Sequence, residues 1–208
     1  MKLYDNKMAP NPRRVRMFIA EKNISFSQAG IEVINVDIAK GETFSEKFRQ
    51  MSPYGGLPVL ELDDGDYLTE SMAICRYFEE LYPDSPLMGG DAKSKACIEM
   101  WNRRIEIYLY QSIAMSFRHG NPMWKSVTTQ VAEFSEVSAI EVDKNIHKLD
   151  KHLQGSEYVA GNEFSVADIT ALCAIDFAKV ISRRIDEEKH PHLARWHKKV
   201  SARNSAKA

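Results

Sequence analysis

Pro58 heads an apolar run, Pro58-Val59-Leu60-Glu61-Leu62, and is followed by Tyr67-Leu68-Thr69 and then by Glu70-Ser71. This order constrains the fold more than any other stretch of the chain. Proline has no N–H to give to a ladder, so it belongs at the first residue of a strand or on an edge. Leu57 before it therefore keeps backbone groups that an extended peptide can pair with, as an added strand would. Asp63-Asp64-Gly65-Asp66 has the turn chemistry of a hairpin between residues 59–62 and 67–69, which returns the chain beside Pro58. Ser71 then opens a predicted helix over 71–81, with Ile74, Tyr77, Phe78 and Leu81 spaced to bury one face. The free N–H groups and partial positive charge at such a helix start suit a carboxylate.

Upstream, Lys2-Leu3-Tyr4 reads as a strand, and Pro12 sits where the first turn of a helix tolerates proline, with Val15, Phe18 and Ile19 facing inward. Residues 31–36 supply the next strand. Strand, helix and strand in this order imply a right-handed βαβ unit, to which the hairpin and the helix at 71–81 add ββα. The expected fold class is α+β: a βαβ-ββα domain at residues 1–82, a turn-rich linker at 83–90 and an all-helical domain at 91–208. In the helical part, long helices are predicted from 92 to about 117 and from 128 to about 153, joined by the loop Arg118-His119-Gly120-Asn121-Pro122. Phe164-Ser165-Val166-Ala167-Asp168-Ile169 is a helix start in which Ser165 caps, Asp168 reaches back and Phe164 meets Ile169; Asp168 is a folding residue.

Composition excludes several classes of function. A net charge of −1 argues against a polyanion-binding surface, and the basic run Arg13, Arg14 and Arg16 has no interleaved aromatics, so nucleic acid is not the expected partner. No apolar run reaches membrane-spanning length, and Met1-Lys2-Leu3-Tyr4-Asp5 lacks the basic-then-apolar plan of a secretory signal, which points to a cytoplasmic protein with no membrane partner. Cys75, Cys97 and Cys173 lack paired spacing and read as reduced core thiols. His190, His192 and His197 do not match the paired-ligand spacing of a helical zinc site, so no metal is expected.

With these residues in view, the chain resembles a cytosolic glutathione transferase over nearly its whole length. That resemblance implies a thioredoxin-like first domain, glutathione as a substrate, a hydrophobic electrophile as the second substrate, and a homodimer. It implies a cis peptide before Pro58, pairing of Leu57 with the cysteinyl part of glutathione, Glu70 and Ser71 at the γ-glutamyl end, and Lys40 at the glycyl carboxylate. Arg103 and Arg104 lie on the long helix that often forms the family's dimer contact, and read equally as solvated charges.

One part of the pattern is missing. The family usually places a serine, tyrosine or cysteine after the first strand; here Ala9 stands at the serine position and Tyr4 reads as a sheet-packing residue. Two catalytic candidates remain. Asn11, or the backbone amides opening the first helix, can donate to the thiolate, with a helix cap as Asn11's other reading. His119 can act through water, as in atypical fungal and bacterial relatives, with a loop histidine as its other reading. The second substrate would sit between the domains, against an apolar wall of Met8 and side chains such as Tyr108, Met115, Phe117 and Trp124, although helical spacing makes most of these ordinary core residues and none is assigned individually.

The expected function is conjugation of glutathione, held as a thiolate, to apolar electrophiles, with reduction of organic hydroperoxides as a side activity. A glutathione-dependent isomerase or dehalogenase, and a non-catalytic glutathione-binding or regulatory protein on the same fold, are the alternatives.

Overall fold

The structure is a computed structural model that describes residues 1–208. It divides into two compact units: Met1–Pro86 together with Asn204–Ala208, and Leu87–Arg203.

The first unit holds strand β1 (Lys2–Asp5), helix α1 (Pro10–Glu21), β2 (Glu32–Asn35), the short helix α2 (Glu46–Met51), β3 (Val59–Glu61), β4 (Tyr67–Leu68) and α3 (Ser71–Leu81). The sheet order is β2-β1-β3-β4, with β1 parallel to β2 and antiparallel to β3, and β3 antiparallel to β4. This is the thioredoxin-like βαβ-ββα plan. Leu3, Val59 and Leu60 from the sheet, Val15, Phe18 and Ile19 from α1, and Ile74 and Phe78 from α3 are buried. The buried stripe of α3 is turned slightly from the one the apolar spacing marks. Leu81 is 48% exposed, whereas Cys75 and Glu79 are buried. Glu79 can be there because Lys22 is buried beside it, Nζ to Oε2 2.8 Å, and a buried charge is tolerated only with such a partner. Helix α2 lies in a stretch for which the sequence offers no strong periodicity; Ser45 caps it by accepting from the Phe48 N–H.

The sequence reading runs the helical domain to residue 208, but residues 204–208 belong with the first unit. They form a short 3₁₀ turn against α1, where Arg13 Nη2 donates to the Ala206 carbonyl at 3.1 Å and the buried Ser205 hydroxyl bonds Glu21.

The second unit contains α4 (Ala92–Arg104), a widened π-helical segment (Ile105–Tyr110), α5 (Gln111–Gly120), α6 (Ala132–Leu153), α7 (Val166–Phe177) and α8 (Pro191–Ser201). Helical structure thus continues from Ala92 to Gly120, so His119 lies in the last turn of α5 and not in a loop. The widening has a local cause, since the Tyr108 carbonyl accepts from the Ser112 hydroxyl and the Asn145 side-chain amide at 2.8 and 3.1 Å. Helix α6 starts at Ala132, later than the predicted 128, because the residues before it are held otherwise. The Gln130 amide donates to the carbonyls of Arg118 and Asn121, and the Val131 N–H donates to His119 Nδ1 at 3.2 Å.

Asp168 is the hub of this unit. Its side chain is fully buried and accepts from Val159 N–H, Trp196 Nε1–H, Ser165 N–H and the Ser165 hydroxyl. Burial pushes its carboxyl above the ordinary carboxylate range, and those donors offset only part of the rise. Cys75 and Cys173 are buried and Cys97 half-buried, and none of the three forms a disulfide. His197 contacts Asp176 at 3.0 Å, and the side chains contain no cluster of three metal-ligating groups. No helix is long and apolar enough to cross a membrane.

Candidate active site

Strand register gathers the expected site residues of the first unit at one end of its sheet. Tyr4 pairs with Val59, so the start of β3, and with it Leu57 and Pro58, lies beside the end of β1. Leu68 pairs with Leu60, so β4 runs back toward that same end and delivers Glu70 and Ser71 there. Asp5 pairs with Asn35 in parallel register, so the turn that carries Lys40 leaves β2 at this end too. The first turn of α1, with Asn11, follows from β1 directly.

Leu57 and Pro58 are joined by a cis peptide. The ladder begins at Val59, and neither the N–H nor the C=O of Leu57 takes part in the chain's own backbone hydrogen bonds. Its side chain packs on the buried cluster of Val36, Phe48, Met51 and Val59, which fixes the backbone position. The turn before it is tied down as well: Ser52 Oγ bonds both the N–H and the C=O of Gly56 at 3.0 Å.

Glu70 is the N-cap residue of α3, with φ 64°, a conformation costly for a residue with a side chain. In this position its carboxylate makes no cap bond and is exposed. The first intrahelical bond runs from the Ile74 N–H to the Glu70 carbonyl, so the amides of Ser71, Met72 and Ala73 lie beyond the reach of the helix's own carbonyls. Ser71 is 6% exposed, and its Oγ accepts from Arg14 Nη1 at 3.1 Å. The result is a helix start whose open amides suit an anion, with an acidic side chain at its edge.

At the start of α1 the N-cap is Ala9, with no side-chain bond, and Asn11 is the second helical residue, so Asn11 does not cap the helix. Pro10 and Pro12 have no N–H, and of the first three residues of α1 only Asn11 carries a backbone donor. The approach loop is rigid. Asn6 Nδ2 donates to the Val36 carbonyl at 2.8 Å and Asn6 Oδ1 accepts from the Met8 N–H, while Arg16 pairs with Asp5 at 2.5 Å and donates to the Lys7 carbonyl.

Lys40 is exposed and its Nζ lies 3.2 Å from Asp37. Tyr4 is occupied elsewhere, since its hydroxyl donates to Glu61, which also receives Lys2 Nζ, each at 2.7 Å. Burial first, and then the bond to Glu61, pushes the Tyr4 phenol up to about 12.

In the second unit His119 accepts the Val131 N–H at Nδ1 and stands edge-on to Phe134. Of the expected apolar wall, Tyr108 is 57% exposed, while Phe117 and Trp124 join Phe177 and Tyr110 in a chain of ring contacts with centroids 5.6 to 6.1 Å apart. The Trp124 indole N–H is buried in that cluster with no hydrogen-bond partner. Met8, in the first unit, is 91% exposed. The sequence reading missed Arg14, Arg16 and Asn6 as supports of the site. Arg14 and Arg16 were visible only as a basic run, and their partners Ser71 and Asp5 appear only once the chain is folded.

Comparison with known proteins places the chain in a family. Residues 3–86 match the family model described as Glutathione S-transferase, N-terminal domain, and residues 123–204 match Glutathione S-transferase, C-terminal domain. The chain is 33% identical over 210 residues to Glutathione S-transferase 2 of Saccharomyces cerevisiae, covering 100% of this chain and 88% of that protein. The crystal structure of Gtt2 from Saccharomyces cerevisiae superposes with a TM-score of 0.92 at 33% identity, covering 100% of this chain and 99% of that one. That of a class Gtt2 glutathione S-transferase of Vibrio parahaemolyticus superposes with a TM-score of 0.85 at 36% identity, covering 99% and 95%. On both domains and at these identities, the chain belongs to the glutathione S-transferase family and is a glutathione transferase.

Proposed function

We propose that this transferase seats glutathione across the open backbone of Leu57, places its γ-glutamyl carboxylate on the amides and hydroxyl at Ser71 with Glu70 meeting the free amine, and draws the glycyl carboxylate toward Lys40. Leu57 carries the reading, because it sits before the ladder with both backbone groups uncommitted and its side chain anchored.

The chemistry then needs a thiolate. An unperturbed thiol pKa of about 8.5 leaves little thiolate at neutral pH, and lowering it by about one to two units takes roughly 1.4 to 2.7 kcal/mol. A hydrogen bond to a charged acceptor supplies about 1.5 to 3 kcal/mol. Asn11 is the donor we assign, through its side-chain amide or its backbone N–H, at a helix start whose dipole favours negative charge. His119 is the second candidate: with Nδ1 accepting from Val131, its neutral ring carries the proton on Nε2, the form that can donate. The thiol proton leaves to solvent, and the thiolate attacks the electrophilic carbon of an apolar substrate, forming the C–S bond while the leaving group, halide for an aryl halide, departs to solvent with its bonding pair; no metal ion is needed once the sulfur is ionised. Reduction of organic hydroperoxides by the same thiolate is a side activity of this reading.

A homodimer is part of the proposal, supported by Ile107, Val137 and Ile140, apolar residues each more than half exposed on the π segment and α6. We place the enzyme in the cytoplasm, in keeping with three cysteines that form no disulfide.

The test is ultraviolet titration of the bound thiol, followed by a conjugation assay with an aryl halide. A pKa about one to two units below that of the free thiol, together with turnover, is expected. Retention on immobilised glutathione with an unshifted thiol and no turnover defeats the proposal.

A further inference from the structure

We propose that Arg14 is a positioning residue for glutathione, one that fixes the Ser71 hydroxyl as a hydrogen-bond donor toward the γ-glutamyl carboxylate; this rests on the seat proposed above. Arg14 is on α1 and only 2% exposed, and its Nη1 lies 3.1 Å from Ser71 Oγ in a buried contact. A guanidinium has donors and no acceptor, and it stays charged. Ser71 Oγ must therefore accept from Arg14, and its own proton has to point elsewhere.

Without that constraint a serine hydroxyl at a helix start rotates to suit its neighbours and often accepts from the helix amides, as caps do. Here one lone pair is taken by a permanent cation. The remaining donor belongs on the side of the uncommitted amides of Ser71, Met72 and Ala73, where an anion would sit. A chain of guanidinium to hydroxyl to carboxylate polarises each bond, and a buried charge one hydrogen bond behind the seat is screened little by solvent. Arg14 also ties the first turns of α1 and α3 together, so the group that sets the polarity also holds the two helix starts in register.

The test compares two peptides on the intact protein: glutathione, and 4-aminobutanoyl-cysteinyl-glycine, which keeps the amine and lacks the γ-glutamyl carboxylate. Dissociation constants are measured by calorimetry for the wild type and Arg14→Gln. Glutamine can accept as well as donate, so the polarity of Ser71 is no longer imposed. Arg14→Gln should weaken glutathione by about tenfold to a hundredfold, the range of a hydrogen bond to a charged group, and the shorter peptide by less than about twofold. Equal weakening of both peptides means that Arg14 only supports the fold, and no weakening of either means that it is irrelevant to the seat; each overturns the assignment. A wild type that does not prefer glutathione to the shorter peptide overturns the seat itself, and the role of Arg14 with it. Should Arg14→Gln not fold, Arg14→Met, an apolar side chain of similar length, is read by the same ratio and the same criteria.

Discussion

The Tyr4 hydroxyl donates to Glu61 at 2.7 Å, diagonally across the pair of β1 and β3 in which Lys2 stands opposite Glu61. A tyrosine engaged in this way is a sheet residue. Tyr4→Phe should leave the bound-thiol pKa and the conjugation rate unchanged. It should, however, alter stability in alkali. The folded pKa is raised from 10.0 to about 12, so above pH 10 the unfolded chain loses this proton first, and stability falls as pH rises through that window. Lys2, raised in the same direction by Glu61, adds to the loss. Urea midpoints measured between these pH values should fall less steeply for Tyr4→Phe than for the wild type; parallel curves would show that the bond to Glu61 carries no linkage.

Asn11→Ala should raise the bound-thiol pKa by about one unit and lower kcat/KM by about tenfold if the side-chain amide is the donor. If the backbone N–H carries the interaction, Asn11→Pro has the larger effect, since it removes the last backbone donor of the first three residues of α1. His119→Ala removes the acceptor of the Val131 N–H and should cost about 1 kcal/mol of stability. A thiol pKa that moves only in the histidine variant transfers the catalytic assignment from Asn11 to His119.

Asp168→Ala leaves the N–H groups of Val159 and Ser165 and the indole of Trp196 without their acceptor inside a closed core. The expected cost is about 3 to 5 kcal/mol, enough to unfold many domains of ordinary stability. Chemical denaturation followed by tryptophan fluorescence measures it directly, because Trp196 is one of the orphaned partners. A loss below about 1 kcal/mol would mean that water replaces the carboxylate.

Gly89 has φ +94°, and a Cβ there would lie 2.6 Å from the Lys95 backbone nitrogen at the start of α4. Neither fault can be relieved by turning a side chain. Gly89→Ala should lower the melting temperature by several degrees, corresponding to about 1 to 3 kcal/mol, whereas Gly30→Ala, also at positive φ but in open space, should cost less. Thermal unfolding of the two variants side by side provides the check.

Where order along the chain sets the geometry, the sequence was a sufficient guide. The turn at 63–66, the strand-start proline and the helix over 71–81 are local features, and the structure has all three. The cap formed by Ser165 and Asp168 was legible for the same reason. What escaped depends on partners far apart in sequence. Glu79 is buried because Lys22 comes to it, and Arg14 is a support of the site because α1 packs on α3. Gly120, Asn121 and Pro122 are strong breakers and predict a loop at His119, yet the helix persists to Gly120 and breaks only after it. Tyr4 could be set aside from its place in a strand, but its partner Glu61 required the register.

Residues 204–208 pack on α1 through Arg13 and Glu21, so α1 is completed by a segment made only after the whole helical unit. During synthesis on the ribosome, the helix that bears Asn11 and Arg14 must wait, with part of one side uncovered, until translation has passed Arg203. A nascent first unit released early should accordingly be a weak ligand trap, and a fusion partner placed directly after residue 203 should loosen the proposed glutathione seat from the opposite end of the polypeptide.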